Sequence, residues 1–224
     1  MGKVPLSVYD FFAYLSSGAV ILSTADYISG SGLLNRKDVT PILAVALIFL
    51  TYVLGQMIAH LSSWLLETSF TFKLLGAPSA VLMGAKPRSK ILKLFFPGYY
   101  RPLAQGTIEQ VSRQAAAHKF SATDESLFQH MYPIVTQNDR YQLRLDEFRN
   151  QYGFARNVSF AFLLAALALI CARVYGQHSV RLVWAVLSAL AAITLFYRYL
   201  KFIRQYSYEL FLRYSQLPLG DNDE

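Results

Sequence analysis

The sequence is short of charged residues and of cysteine. The low charge is atypical of a soluble domain, and the lack of cysteine pairs excludes a domain stabilised by disulfides. Charged residues make up 16% of the 224-residue chain, whereas about a quarter of a typical soluble domain is charged. The chain has one cysteine, Cys171, so no disulfide can form within it, and a small secreted domain stabilised by disulfides is excluded. Because Cys171 falls inside an apolar run, we expect it to serve packing alone.

Sequence motifs of catalytic and cofactor sites are lacking as well. There is no phosphate-binding Gly-Lys loop, no dinucleotide fingerprint and no nucleophile elbow. His118, Asp124, Glu125 and His130 have the residue types of a metal site, but their spacing matches no zinc or di-metal signature. We interpret them as solvated helix residues. The sequence therefore predicts no catalytic residue, no metal ion and no cofactor.

Apolar residues are abundant and make up 54% of the chain. Four segments approach or exceed the apolar length that a helix needs to cross a bilayer, which is roughly 20 residues. These segments are residues 11–34, 41–66, 158–174 and 180–197. No period-two alternation with turn residues indicates strands. We therefore predict an all-α polytopic membrane protein with four transmembrane helices.

The four segments form two pairs that are separated by a polar insert. We predict a transmembrane hairpin, a cytoplasmic helical insert, a second hairpin whose last helix extends into the cytoplasm, and an acidic tail. In the same order, these parts cover residues 1–67, 68–157, 158–217 and 218–224.

Three helices are expected in the insert. A capping-box pattern at Thr107 opens the first. Ser121 or Thr123 caps the second, which Pro133 bends or ends. The third covers residues 139–154, where aromatic and apolar residues recur at helical spacing.

Basic residues collect on one side of the predicted spans. From residue 68 to residue 120 there are eight basic residues and one acidic residue, and further basic residues follow the fourth span. Lysine and arginine favour the cytoplasmic side of a membrane. We therefore predict that the N-terminus, the insert and the C-terminus are cytoplasmic.

The second span carries a stripe of polar side chains, Gln56, His60, Ser63 and Glu67. Their spacing of four, three and four residues keeps them on one face of an α-helix. Polar groups at membrane depth are costly and usually face a bundle interior or water. Either the stripe lines a pore or cleft, or it forms a helix–helix seam whose polar groups are satisfied by hydrogen bonds. A catalytic group of His60 and Glu67 with a serine is a further alternative.

Small residues recur at helical spacing in three of the four spans, which lets helices approach closely. They are Gly55, Ala59, Ala161, Ala165, Ala168, Ala172, Ala185, Ala189 and Ala192. One chain can use these faces for its own packing, and there are enough of them to supply contacts between subunits as well. Homo-oligomerisation is the resulting hypothesis.

A basic segment at the start of the insert contains Lys86, Arg88, Lys90 and Lys93, which adjoin aromatic and aliphatic residues. This composition suits a segment lying on an anionic membrane surface, where each basic residue contributes on the order of 1 kcal/mol. The alternatives are that its apolar residues pack under the insert, or that its charges only enforce topology. Direct binding of nucleic acid is not expected, because the aromatic residues adjoin a predicted membrane surface.

Three segments together resemble a group of bacterial inner-membrane proteins that largely lack an assigned activity. They are residues 8–14 followed by Gly18, residues 52–67, and residues 152–157. The layout of four spans with a helical insert is similar to that of membrane components of anti-phage defence systems. The resemblance implies a location in the bacterial inner membrane and carries over no catalytic residue.

The leading hypothesis for function is a non-enzymatic, oligomeric component of the inner membrane. Its insert receives a cytoplasmic protein partner or a signal, and its spans respond by altering permeability. A membrane-embedded enzyme acting on lipid or peptide is the opposing hypothesis. A small transporter is the third, which the lack of a clear inverted repeat or broken helix disfavours.

Overall fold

The computed structural model describes residues 8–36, 38–117, 125–177 and 179–217, and every regular element in these ranges is helical. The α-helices are α1 (Val8–Ser29), α2 (Pro41–Ser62), α3 (Pro78–Leu82), α4 (Lys90–Phe95), α5 (Gln105–Ala117), α6 (Glu125–Thr136), α7 (Asp139–Val174) and α8 (Leu182–Ser215). Four of them are long and apolar enough to cross a membrane: α1, α2 with its continuation, α7 and α8. The prediction of an all-α protein with four such helices is confirmed. The side of the membrane on which the insert lies stays a prediction.

α1 ends before the predicted boundary of the first span because glycines turn the chain. Gly30 and Gly32 have φ values of 64° and 61°, a left-handed conformation that glycine adopts without steric cost. The carboxylate of Asp26 accepts a hydrogen bond from the N–H group of Leu33 (2.7 Å). This bond holds the 3₁₀ turn Leu33–Asn35, after which the chain leads to α2.

α2 continues without a break into a π-helical segment, Ser63–Leu75. The helix therefore runs past residue 66, where the second span is predicted to end. It stops at Gly76, whose φ of 95° is incompatible with a right-handed helix. π-helical turns are rare and are frequently found at functional sites.

The predicted insert helix at residues 139–154 and the third predicted span are one helix, α7. No proline and no left-handed glycine interrupts its 36 residues, so nothing stops the helix between the two predicted segments. α8 is 34 residues long, as expected for a last helix that continues beyond its apolar part.

α5 and α6 are the other two helices predicted in the insert. α5 begins at Gln105, slightly before the predicted cap at Thr107. α6 runs through Pro133 instead of ending there. Ser121 and Thr123, the predicted caps of α6, lie outside the described residues.

The chain divides into two compact units. The first, here called the span unit, is Met1–Thr68 with Asn150–Tyr199, and the second, the insert unit, is Ser69–Arg149 with Leu200–Glu224. α7 and α8 each contribute residues to both units. Within the span unit α7 is the most enclosed helix, since 44% of its most apolar stretch is buried, against 17% in each of the other three helices.

The core of the insert unit is formed by side chains from α3, the loop before α5, α5, α6, the start of α7 and the end of α8. These residues are Leu82, Leu103, Val111, Ala115, Leu127, Met131, Val135, Leu145, Leu210, Phe211 and Tyr214. The buried carboxylate of Glu209 lies beside this core and pairs with Arg144 (3.1 Å) and Arg213 (2.8 Å). The two guanidinium groups satisfy a charge that burial would otherwise destabilise.

Candidate functional site

The structure divides the polar stripe predicted on the second span into two parts. Gln56 and His60 are exposed on α2, and the Gln56 amide donates to the Tyr52 hydroxyl (3.2 Å). Ser63 and Glu67 are half-buried on the π-helical segment, and the Ser63 hydroxyl donates to a Glu67 carboxylate oxygen (3.4 Å). The helix changes its hydrogen-bond pattern at Ser63, so the four residues do not share one environment.

Glu67 forms an ion pair with Arg156 of α7. The two side chains are 16% and 13% exposed, so the pair is largely shielded from solvent. A shielded charge is stable only while its partner is present, because removal of one partner leaves the other uncompensated. The pair therefore makes the packing of α2 and its continuation against α7 depend on both charges.

Ser62 and Asn157 form a second polar link between α2 and α7. Ser62 directly precedes Ser63, and Asn157 directly follows Arg156. The Ser62 hydroxyl donates to the side-chain oxygen of Asn157 (2.7 Å), and both residues are buried. The same oxygen accepts from Nε of Arg156 (3.2 Å). An arginine Nε can only donate, which identifies the facing atom as the carboxamide oxygen and fixes the orientation of the amide.

We call Ser62, Ser63, Glu67, Arg156 and Asn157 the polar cluster. Its two α7 residues come from the most enclosed part of that helix, where residues 157–161 are all buried. Close by on α7, the Ser159 hydroxyl donates to the Ala192 carbonyl of α8 (2.8 Å). At this level α7 is therefore bonded to two neighbouring helices at once.

The polar cluster does not assemble a hydrolytic triad. Ser62 is buried, and its hydroxyl is bonded to an amide instead of a base. Glu67 is engaged by Arg156. The His60 side chain is exposed and, within the described ranges, forms no hydrogen bond with the side chain of either serine or of Glu67. The chemistry that this arrangement supports is electrostatic attachment between helices, which neutralisation of either charge would weaken.

No group of three His, Cys, Asp or Glu side chains that could hold a metal ion occurs in the part of the chain that the structure describes. His118 and Asp124, two of the residues with metal-ligand chemistry, lie outside that part. Cys171, expected to serve packing, is exposed on the surface of α7.

Most of the small residues predicted at helix–helix faces are enclosed within the single chain. Gly55, Ala161, Ala165, Ala185 and Ala192 are buried, Ala59, Ala172 and Ala189 are half-buried, and Ala168 is exposed. Internal packing accounts for the majority of these positions. Contacts between subunits stay a prediction.

All four basic residues of the basic segment are exposed. α4 begins where the Ser89 side chain accepts a hydrogen bond from the Ile91 N–H group (3.2 Å). Ile91 and Leu94 are 65% and 77% exposed, so these two do not pack under the insert, whereas Leu92 and Phe96 are half-buried. α4 thus presents basic and apolar side chains together at the surface.

Sequence reasoning alone does not pair Glu67 with Arg156, because 89 residues separate them. The sequence does offer one signal: Glu67 follows the end of the second predicted span, and Arg156 precedes the start of the third, so the two would lie on the same side of the membrane. Nothing in the sequence marks Ser62 and Asn157 as partners, since short polar residues are common in membrane helices.

Comparison with known proteins identifies no family for this chain. No protein-family model, curated protein or solved structure matches it. The resemblance to bacterial inner-membrane proteins and to membrane components of anti-phage defence systems stays a prediction.

Proposed function

We propose that this chain is a non-enzymatic, homo-oligomeric component of the bacterial inner membrane that couples a cytoplasmic protein partner or signal to a change in membrane permeability. The observation that carries the proposal is the polar cluster, in which an ion pair and a buried hydrogen bond join α2 and its continuation to α7. The two charges stand at the ends of predicted spans and are largely shielded from solvent, and shielded charges are costly unless they are paired.

α7 provides the connection that coupling needs. Its first residues, up to Arg149, belong to the insert unit, and the remainder belongs to the span unit. An unbroken helix transmits a shift or rotation along its length, because its backbone is hydrogen-bonded throughout. A partner that moves the first turns of α7 would in this way displace Arg156 and Asn157 from their partners on α2 and its continuation.

Loss of these contacts would change how the span unit interacts with water. Glu67 and Arg156 would each become an unpaired charge, and Ser62 and Asn157 would lose a buried hydrogen bond. Unpaired charges in an apolar environment are strongly unfavourable unless water reaches them. Separation at the polar cluster would therefore favour entry of water into the span unit at this level.

Apolar side chains cover the outward faces of α2 and α8. Ile42 and Phe49 on α2 and Val183 and Ile193 on α8 are examples of large exposed apolar residues. Extended apolar faces require lipid or another protein surface to cover them. They support a membrane location and provide surface for contacts between copies of the chain.

The exposed basic and apolar side chains of α4 support contact with anionic lipid. Basic side chains attract the anionic leaflet, and apolar ones such as Ile91 and Leu94 enter the headgroup region. Attached in this manner, the insert would keep α5 and α6 available to a cytoplasmic protein partner.

Reconstitution tests the proposed function. Full-length protein is placed in liposomes that contain a self-quenching dye, and the wild type is compared with Glu67→Gln and Arg156→Gln, each of which leaves one charge unpaired. We expect both variants to release dye several-fold faster than the wild type. Asp146→Asn is the matched control, because it breaks the more exposed pair of Asp146 and Arg149 on the same helix (3.0 Å) and should behave like the wild type.

Native mass spectrometry of the same preparations gives the number of copies. We expect an oligomer both in detergent and in nanodiscs. A monomer in both, together with equal dye release from the wild type and all three variants, would contradict the proposed function.

A further inference from the structure

A cleft of about 700 Å³ lies in the insert unit between the loop before α5 and the helix α8. Its walls are residues 101–104 of the loop together with Arg204, Gln205 and Tyr208 of α8. Sites for small organic molecules have volumes of roughly 300–1,000 Å³, so the cleft has the size of a ligand site. None of its residues belongs to the polar cluster or to the basic segment.

The cleft is positively charged. Arg101 and Arg204 line it, and no acidic residue of the described chain does. Neither arginine forms an ion pair in the described ranges. Burial, and then the nearby positive charge of Arg101, lower the pKa of Arg204. The two like charges oppose each other, and a bound anion would offset that repulsion.

Arg204 also has hydrogen-bonding capacity that the fold does not use. One terminal nitrogen donates to the Arg101 carbonyl (2.6 Å), while its buried Nε has no hydrogen-bond partner among the described residues. A guanidinium group carries five N–H donors in a planar fork. One bond therefore holds the Arg204 side chain, and a ligand in the cleft would have to use its terminal nitrogens, because Nε is buried.

The start of α5 adjoins the cleft wall. Ala104 in the cleft wall accepts hydrogen bonds from the N–H groups of Thr107 (3.0 Å) and Ile108 (3.1 Å), in the first turn of α5. The earliest N–H groups of a helix have no partner within it, and they favour anions. Two arginines thus line the cleft, and the residue that precedes α5 lies in its wall.

We propose that the cleft binds a phosphorylated ligand, with a phosphate monoester group between Arg101 and Arg204 and an organic part along Pro102, Leu103 and Tyr208. Arginine binds phosphate through parallel N–H···O bonds. A phosphate monoester carries about two negative charges at neutral pH, which matches two guanidinium groups, whereas a carboxylate would leave one of them uncompensated. The ligand is the monoester head group of a lipid such as phosphatidic acid or a soluble phosphate monoester, since the same chemistry recognises both.

Binding is measured with full-length protein in two arms. In the first, the protein is in phosphatidylcholine nanodiscs, and isothermal titration calorimetry follows sn-glycerol 3-phosphate. In the second, native mass spectrometry follows retention of phosphatidic acid, the lipid with the same phosphate group, in competition with phosphatidylcholine. Saturable binding in the first arm supports the site with a soluble ligand, and selective retention in the second supports it with a lipid head group.

Arg101→Gln is the most direct variant, because the Arg101 side chain is exposed and its backbone carbonyl still accepts from Arg204. We expect it to weaken binding about tenfold or more, as loss of a charge-assisted phosphate contact does. Arg204→Lys keeps the charge but loses the planar fork, so it should weaken binding as well. The matched control is Lys201→Gln on α8, an exposed lysine outside the cleft, which should change the affinity by less than about twofold.

Two results would overturn the inference. One is the lack of binding to both sn-glycerol 3-phosphate and phosphatidic acid. The other is an equal loss of affinity in Lys201→Gln and Arg101→Gln, which would mean that the probe is attracted by basic surface in general. The binding measurement does not depend on permeability, so failure of the dye-release experiment leaves its outcome unaffected.

Discussion

Gly18 of α1 and Gly55 of α2 bring two helix backbones into direct contact. A Cβ atom at Gly18 would lie 1.8 Å from the Thr51 carbonyl oxygen and 3.0 Å from the Gly55 nitrogen. A Cβ atom at Gly55 would lie 1.8 Å from the Tyr14 carbonyl oxygen. No side chain fits at either position, so the close packing of α1 against α2 depends on both glycines.

Gly18→Ala and Gly55→Ala are each expected to push α1 and α2 apart. Overpacking of this kind costs about 1–3 kcal/mol, measured as the loss in free energy of unfolding in mixed detergent micelles. Gly153→Ala in α7 is the control, because nothing lies within 4 Å of its Cβ position, and it should be neutral or slightly stabilising. Equal destabilisation by all three substitutions would contradict the close contact.

The ion pair of Glu67 and Arg156 is expected to show strong coupling in a double-mutant cycle. Removing one partner of a buried pair lowers the free energy of unfolding by about 3–5 kcal/mol. Because Glu67 and Arg156 are partly exposed, we expect Glu67→Gln and Arg156→Gln each to cost an amount near the lower end of this range. The double variant should lose less than the sum of the two. The same cycle on Asp146 and Arg149 should give at most about 1 kcal/mol of coupling. Additive losses at Glu67 and Arg156 would show that the pair is not formed.

The exposed face of α4 is expected to contact anionic lipid. An environment-sensitive fluorophore on Leu94→Cys, in a Cys171→Ser background, should shift to shorter emission wavelength in nanodiscs with phosphatidylglycerol than in phosphatidylcholine alone. The shift should shrink with added salt, because salt screens the attraction, and should be lost in the combined variant Lys90→Gln, Lys93→Gln. Identical spectra in both lipids would rule out charge-dependent contact.

The predicted orientation is tested by two positions. Ala116 is exposed on α5, and Tyr175 is exposed in the turn between α7 and α8. In a Cys171→Ser background, a membrane-impermeant maleimide should label Tyr175→Cys in intact bacteria and Ala116→Cys only after the inner membrane is permeabilised. The opposite pattern would invert the topology.

Tyr206 is expected to make the protein less stable as the pH becomes alkaline. It lies on α8 beyond the predicted span, and burial raises its pKa to about 12, against about 10 in an unfolded chain. The unfolded state therefore releases the proton first, so this stability is fully present below about pH 10 and is lost as the pH rises towards 12. Tyr206→Phe should reduce the slope of unfolding free energy against pH in that window. An unchanged slope would show that Tyr206 titrates normally.

The sequence was sufficient for the fold class because membrane helices are determined locally. In a bilayer, backbone groups have no partner other than the helix itself, so a long apolar segment must be helical. Helix boundaries were predicted less well, although their signals are local too. The first span was predicted to run to residue 34, but Gly30 and Gly32 end α1 earlier, and α7 continues past residue 154 because no stop signal follows it.

The polar cluster could not be predicted in the same way. Helical periodicity placed Gln56, His60, Ser63 and Glu67 on one face, but a period does not say which residue of another helix lies opposite. Their environments differ because the helix becomes π-helical at Ser63 and because Arg156, 89 residues away, pairs with Glu67. The composition of each segment determined that it is a helix suited to a membrane. The rotation and depth at which α2 and α7 pack determined which polar groups meet, and only the tertiary structure decides these.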